Sequence, residues 1–555
     1  MVYSFDVFDT CLARLCGEPR CLIEVLSLRI QALLGDKCTE HLRQHFVASR
    51  INTNGHSLEE IYQQVTERFA LPCSVEAMVQ MELDVEREML TPIVATRHLI
   101  DKLRHNGDII FISDMYLPVD FIREMLFRYG FFHEGDRLYV SDTVGAWKYD
   151  GTLFQLVHEK EGVPYRKWHH YGDNHHSDYK VPRRLGIHAH LLQYDYLYYE
   201  DQWMRQPVAG FQYASILAGI SRAVRLQSDA AESQTRFVAD LSAPFMVAWV
   251  VGVLQDARQR GIRRLYFLAR DVHSEYLIAK RFSAMFPEIE VRYLITSSNA
   301  LYHDELSALY LRNEGFADDV PLAVIDSNTS GRTLQTMNDM FGKDRKDAIY
   351  GYFIMKYDRS EYRHCLAGDY LLYAFYLDAI ASKRVRRTLG MRIFFELLFS
   401  LNYHPTTIGY EYHGLKLRPV FGENNDNWYF DDINSRSAKR ANDKLLLAYA
   451  DAFRRTGLSL FSSVIMERLV LSSMMDFVDR PRKEYLDYLH HFIWLGKPFV
   501  GKNHGSHKGV WKRGNRAFVL PSWVVNRYYS LASNRKLSKT INRIISWMPF
   551  RKKGR

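Results

Sequence analysis

The chain has 555 residues, of which 47% are hydrophobic, 25% charged and 14% aromatic, a composition that excludes wholesale disorder and demands more than one core. Its net charge of +9 gathers at one end, because 14 Lys or Arg lie from Lys502 to Arg555 and no acidic residue follows Asp487. The six cysteines form no CxxC pair, which excludes a zinc ribbon and a disulfide framework and points to a reducing cytosol.

Met1 leads straight into an apolar strand at residues 2–8, so no secretory leader is expected. From about Glu18 to His105 apolar residues recur at spacings of three and four, as in "CLIEVLSLRIQALLG", and predict helices. Strands and helices then alternate: "DIIFISDM", "FIREMLFRYG", "RLYVSD", "GTLFQLVHEKEG", "WHHYGDN", "SDYKVPRRLG" and "IHAHLL". Such alternation predicts an α/β domain over 1–195 with a parallel sheet, and the helical block at about 15–92 would cap its carboxyl edge.

A second α/β pattern occupies 236–380, with strands at "RRLYFLARD", "EVRYLITSS", "PLAVIDS" and "AIYGYFIM". The longest apolar run, 12 residues from Ala243, is too short to span a bilayer, so a soluble protein is expected. Residues 381–490 are mostly helical in pattern, and 491–555 form a basic tail. There Leu537, Ile541, Ile544, Ile545 and Met548 share one helical face, with Trp523 and Trp547 nearby. A helix of that kind can lie on an anionic membrane surface or pack on the protein with a solvated basic end. No nucleic-acid reading motif is present, and no nucleic-acid partner is expected.

Four strand ends of the first domain carry groups suited to phosphoryl chemistry. They are Asp6 with Thr10, Ser113, Lys148, and the pair Asp173 and Asp178. Carboxylates gathered at one crevice repel one another unless a cation and a lysine sit among them, which is the logic of a Mg²⁺ site with bound phosphate. Lys148 would offset their charge, and Ser113 would hydrogen-bond a phosphate oxygen.

The words "FDVFDT", "FISD", "GAWKYDG" and "YGDNHHSD", in that order, resemble the four motifs of the haloacid-dehalogenase-like (HAD) superfamily over about residues 1–195. The resemblance implies a Rossmann-like domain in which Asp6 is the nucleophile that forms an aspartyl-phosphate. It implies Mg²⁺ held by Asp6, the backbone carbonyl of Phe8 and Asp173, with Asp178 supporting the metal indirectly. "SFDVFDT", "SDMYLP" and "FLARD" further resemble large HAD hydrolases associated with bacterial surface polysaccharides. That likeness implies a phosphorylated sugar or glycan-precursor substrate and a glycosyltransferase partner, while the cysteine usage and the basic tail lead to the expectation of a cytoplasmic place at the inner membrane face.

One position departs from the family pattern: Phe8 stands where its phosphatases carry a general acid. An unusual leaving group, an acid supplied by His175 or His176, or a module that docks a partner more than it turns over would each account for Phe8. Strand alternation turns Asp9 away from the site, so Asp9 is expected to shape the turn. In the second half, "AVIDSNTSGRTLQ" reads as a strand ending at Asp326, then an anion-binding turn with Ser330 and Gly331 ahead of a helix. It faintly resembles a phosphoribosyltransferase loop, and with Arg270 and Asp271 it leaves open a glycosyl or phosphoribosyl transfer site.

Overall fold

Val2–Phe5 (β1) is buried at every position, and Asp108–Ser113 (β4) at every position after Asp108, the signature of strands covered on both faces. In the computed structural model they lie side by side in a five-stranded parallel sheet. Its other strands are Arg137–Val140 (β5), Trp168–Gly172 (β6) and His188–Leu191 (β7), in the order β5-β4-β1-β6-β7. β1 sits at the centre, with Phe5 level with Phe111 on one side and Tyr171 on the other. Residues one or two beyond these pairs therefore share one edge, the carboxyl edge where open α/β sheets bind ligands. The structure describes residues 1–35, 38–68, 73–194, 213–228, 232–269, 272–329, 331–342, 345–346, 348–356, 405–422 and 433–457. The chain divides into two units, Met1–Ala230 with Asp451–Leu469, and Ala231–Ala450 with Val470–Arg555.

One face of the first sheet packs Val2, Ile110, Ile112 and Trp168 against Leu153, Phe154, Val157 and Val181. Each such buried side chain contributes about 1.5–3 kcal/mol. Ser4 also lies on this face, fully buried, and its hydroxyl is satisfied there by Trp168 and His170.

The helical block after β1 consists of Cys21–Leu34 (α1), Glu40–Ile51 (α2), Leu58–Arg68 (α3) and Val75–Met89 (α4). Thr39 and Ser74 cap α2 and α4 by accepting from Leu42 N and Ala77 N. The block is joined to the sheet by a feature that the helical periodicity hides. Leu12–Arg14 (β2) and Leu90–Pro92 (β3) pair antiparallel as a short ribbon, so the chain leaves for the cap and returns through adjacent strands. Arg14 makes a bidentate pair with Glu86 of α4, and Arg50 of α2 pairs with Glu82 of α4, all four side chains buried. Tyr62 donates to Glu82 at 2.5 Å and completes the network.

The second unit holds another parallel sheet: Arg264–Leu268 (β8), Glu290–Leu294 (β9), Leu322–Thr329 (β10) and Tyr350–Lys356 (β11), in the order β11-β10-β8-β9. Its first two connections run to opposite sides of β8, so β8 and β10 flank a topological switch point. β10 does not end at Asp326. It pairs with β11 through Thr329, which places Asp326 level with Phe353 inside the strand. Gly331 then starts the helix Arg332–Phe341 with φ of 86°, a left-handed conformation that suits glycine. Thr407–His413 (β12) and Lys416–Phe421 (β13) form a separate hairpin.

The apolar run from Ala243 belongs to a longer element than its uninterrupted length suggests. Among the described residues one helix, Gln234–Gln259, is long and apolar enough to cross a membrane, with mean hydropathy 1.9. Its most apolar window is 100% buried within the protein, as a core helix would be. Ser330, Arg270, Asp271 and the tail 491–555 lie outside the described residues, as does most of 381–490.

Candidate active site

Asp6 follows β1 directly, and its amide donates to Tyr171 O at 2.8 Å, which extends the sheet by one residue and fixes the carboxylate at the edge. The chain then turns sharply, with Cys11 N and Leu12 N both donating to Val7 O at 2.8 Å. Thr10 Oγ1 donates to Asp173 Oδ1 at 3.3 Å, which joins the first strand end to the loop after β6. Ser113 closes β4 at the same edge and is buried.

Lys148 comes from the loop before the helix Thr152–Glu161, and Asp114 holds that loop in place. The Asp114 carboxylate accepts from Lys148 N at 2.8 and 3.0 Å and from Tyr149 N at 3.3 Å. The buried Lys148 ammonium thereby reaches between two carboxylates, donating to Asp6 Oδ1 and, at 2.7 Å, to Asp178 Oδ1. Asp178 is placed by a tight turn in which Asn174 Oδ1 accepts from His176 N and Ser177 N. Asn174 N in turn donates to Asp178 Oδ2 at 3.0 Å. Gly172 makes room for it, since a Cβ there would lie 2.4 Å from Asp178 Cγ.

Behind Asp178 runs a buried polar chain. Trp168 Nε1 donates to Ser4 Oγ at 2.7 Å, Ser4 Oγ lies 2.7 Å from His170 Nδ1, and His170 Nε2 lies 3.2 Å from Asp178 Oδ1. Burial holds the His170 imidazole below its ordinary value, against the pull of Asp178, and a carboxylate beside Nε2 favours the tautomer with its proton there. Ser4 then donates to Nδ1. His170 and Ser4 sit at alternating positions inside strands, where they read as ordinary half-buried pattern, and Asp114 lies within "FISD" one residue past the serine that the pattern singles out.

The electrostatics are unbalanced in a telling way. Burial favours protonation of Asp178, but Lys148 and His170 overcome it and hold this carboxyl below the usual carboxylate range. Burial raises Asp6 well above its ordinary value, against the pull of Lys148, and the charges of Asp178 and Asp173 add to the rise. Asp173 is pushed up to about 6 by burial, then by Asp9 and Asp178. One lysine is thus shared among more carboxylates than it can neutralise. Ligand oxygens of Asp6, Asp173 and Asp178 lie within 4.8 Å of one another and could hold a metal ion. Hard carboxylate oxygens, with negative charge in excess, fit a divalent cation such as Mg²⁺.

Phe8 is half-buried, with the Arg14 guanidinium 4.5 Å above its ring, so no proton donor stands at this position. His176 Nε2 donates to Tyr149 O at 3.2 Å and its ring lies tilted against the Tyr149 ring, which braces the Lys148 loop. His175 stacks on Tyr179 and is exposed. Asp9 does not have the extended backbone that strand alternation assumes. Asp9 has φ of 57° and an ion pair with Arg222, and its charge acts on Asp173. Gly331 and Asp326 belong to the second unit.

Fold and site together define a parallel α/β protein whose carboxyl edge carries a lysine-bridged acidic cluster under a helical cap. Comparison with protein-family models and with curated proteins gives no match. Among solved structures, a HAD family enzyme from Bacteroides thetaiotaomicron is 16% identical, covering 34% of this chain and 92% of its own, with a TM-score of 0.25. A HAD phosphatase from Thermococcus onnurineus is 20% identical over 34% of this chain and 83% of its own, also with a TM-score of 0.25. A mutant of the Bacteroides enzyme, in complex with magnesium and inorganic phosphate, is 15% identical over 35% of this chain and 93% of its own, with the same TM-score.

Proposed function

We propose that the first unit is a Mg²⁺-dependent phosphoryl hydrolase or phosphotransferase with Asp6 as its nucleophile. The observation that carries this reading is Lys148, whose ammonium bridges Asp6 and Asp178 while Asp173 completes an acidic group at the carboxyl edge. Lys148 engages one oxygen of Asp6 and leaves the other for attack on phosphorus. As the bond to Asp6 forms, the bond to the leaving oxygen breaks and an aspartyl-phosphate results, to be released to water or to an acceptor hydroxyl. A bound Mg²⁺ would supply charge for the phosphoryl oxygens. Asp6, Asp173 and the Phe8 carbonyl would hold the ion, and Asp178 would orient Lys148. Ser113 and Lys148 would hold the phosphoryl group, and Thr10 keeps Asp173 in register with the first loop.

Phe8 removes the usual proton donor, a loss of about 10²- to 10⁴-fold for a leaving group that needs protonation. Substrates with good leaving groups, or acceptors that bring their own hydroxyl, suit such a site best. The proposed substrate class, a phosphorylated sugar or glycan precursor, is supported by the sequence resemblance, as is the glycosyltransferase partner; the cysteine usage supports a cytoplasmic place and the basic amphipathic tail supports an anionic membrane beside it. The test is phosphate release from p-nitrophenyl phosphate and a panel of sugar phosphates, with and without Mg²⁺. Release that needs Mg²⁺ and falls at least about 10³-fold in Asp6→Asn is expected. Release that survives Asp6→Asn but is lost in Asp326→Ala would move the activity to the second unit.

A further inference from the structure

Asp9 is the one non-glycine described residue with left-handed backbone. Aspartate tolerates that conformation better than most residues, yet it is a strained choice and persists where surroundings fix it. The turn fixes it here, because Asp9 N donates to Leu12 O at 2.7 Å. The side chain beside it is held from outside the sheet and the cap. Arg222 Nη2 lies 3.2 Å from Asp9 Oδ1, and both side chains are largely withdrawn from solvent, 8% and 32% exposed.

Arg222 sits on the helix Tyr213–Leu226, which is seated against the start of the cap at several points. Gly17 N donates to Ser215 O at 2.8 Å, Glu18 N donates to Ser215 Oγ at 2.9 Å, and Arg222 Nη2 also donates to Cys16 O at 3.4 Å. Gly219 packs so closely that a Cβ would lie 2.2 Å from Cys16 Cα. The guanidinium is therefore delivered by a rigid seat. Thr10, next to Asp9, touches Asp173, so the pair stands at the margin of the acidic cluster.

We propose that Arg222 is a positioning residue of this site: by neutralising the carboxylate of Asp9, it sets the charge with which the Asp6–Asp173–Asp178 cluster meets a cation and a phosphate. The proposal rests on the Mg²⁺ reading above and concerns fixed charges at neutral pH. The influence of Asp9 on Asp173, second only to burial, agrees with that closeness. Without Arg222, the Asp9 charge acts on the cluster unscreened. Cation binding then tightens and anion binding weakens, because one added negative charge attracts the first and repels the second.

The experiment is calorimetric titration of the full chain, first with Mg²⁺ and then, with Mg²⁺ saturating, with inorganic phosphate. In Arg222→Met, Mg²⁺ binding should tighten and phosphate binding weaken, each about 3- to 10-fold. Arg222→Lys, which keeps the charge, should stay close to wild type. Asp9→Asn should shift both affinities the opposite way, and Asp9→Asn with Arg222→Met should return near wild type. A merely structural role would weaken both ligands together, and that result in Arg222→Met overturns the proposal. So does a double variant that stays as far from wild type as Arg222→Met alone. Should Arg222→Met fail to fold, Asp9→Asn alone decides: weaker Mg²⁺ with tighter phosphate supports the proposal, and any other pattern overturns it. Wild-type protein that binds no Mg²⁺ sinks the functional reading along with it, whereas Mg²⁺ binding without the opposed shifts sinks only the role of Arg222.

Discussion

Among the described residues each unit buries one lysine against carboxylates, and the two lysines behave in opposite ways. In the second unit Lys439 donates to Asp443 at 2.5 Å and to Ser274 at 2.8 Å, and burial still lowers it from its ordinary value, although Asp443 and Glu275 pull the other way. In the first unit burial pulls on Lys148 as well, but Asp178 and Asp6 prevail and raise it far above its ordinary value. The difference lies in the surroundings. Asp443 and Ser274 satisfy Lys439 within a helix-packed interior, whereas Lys148 stands at a sheet edge among carboxylates that exceed it in number. A buried lysine for which burial outweighs its acids serves a packed interior; one whose acids outweigh burial at a sheet edge marks a place where another cation is wanted.

Replacing the two lysines sharpens this contrast most strongly. Lys148→Met should abolish phosphate release, by at least about 10³-fold, and lower stability in the absence of metal by about 3–5 kcal/mol, because Asp6 and Asp178 lose their buried cation. Urea unfolding with and without Mg²⁺ reads the second effect. Lys439→Met should destabilise by a similar amount and leave Mg²⁺ affinity within about 2-fold of wild type. A collapse of Mg²⁺ binding in Lys439→Met would break the comparison.

A smaller effect is expected at Gly172. Gly172→Ala drives a methyl into the Asp178 carboxyl, 2.4 Å away, and should cost about 1–3 kcal/mol while weakening Mg²⁺ at least about 10-fold. Unchanged Mg²⁺ affinity in a folded Gly172→Ala protein would show that Asp178 does not order the site.

The smallest expected effect comes from the edge of the first sheet. His169 and His190 lie 3.0 Å apart and His188 stacks on His169, on adjacent strands. Burial and the neighbouring imidazoles hold His169 and His190 below the ordinary value of 6.5. Their folded values are depressed, so the neutral ladder is fully compatible with folding above 6.5. Stability declines as pH falls below that point, where the unfolded chain takes up protons first. The effect should stay under about 1 kcal/mol for these half-exposed rings. Thermal unfolding between pH 7.5 and 5 should show a shallower fall in His190→Gln than in wild type; equal slopes would remove the ladder from the account.

The sheet and the main acidic group were legible because they follow from local pattern. Buried strands read as apolar runs, and a polar residue just past such a run falls at the carboxyl edge. That reasoning reaches Asp6, Thr10, Lys148, Asp173 and Asp178, which the structure brings together. It fails where function depends on backbone conformation or on distant chain. Alternation assumes extended backbone, and Asp9 at φ of 57° is not extended, so alternation does not set the direction of its side chain. Arg222 arrives from a helix more than two hundred residues along, with no local signal. The end of β10 was misplaced because a hydroxyl-rich segment read as a turn, while pairing with β11 keeps it in the sheet through Thr329.

The ribbon of β2 and β3 makes the cap portable. Leu12 faces Pro92 and Arg14 faces Leu90, so the two ends of the insertion leave the host within one strand spacing of each other. A host that receives an insertion through such a doorway need not rearrange its own strands, and closing a long excursion costs only slowly more entropy as it lengthens. Residues 15–89 could be exchanged for another lid by grafting at Arg14 and Leu90. The Asp6 edge would keep its framework, and a donor lid would have to supply again the buried Arg14–Glu86 fork, the Arg87–Glu124 pair and the contacts of Cys16, Gly17 and Glu18 with the helix Tyr213–Leu226.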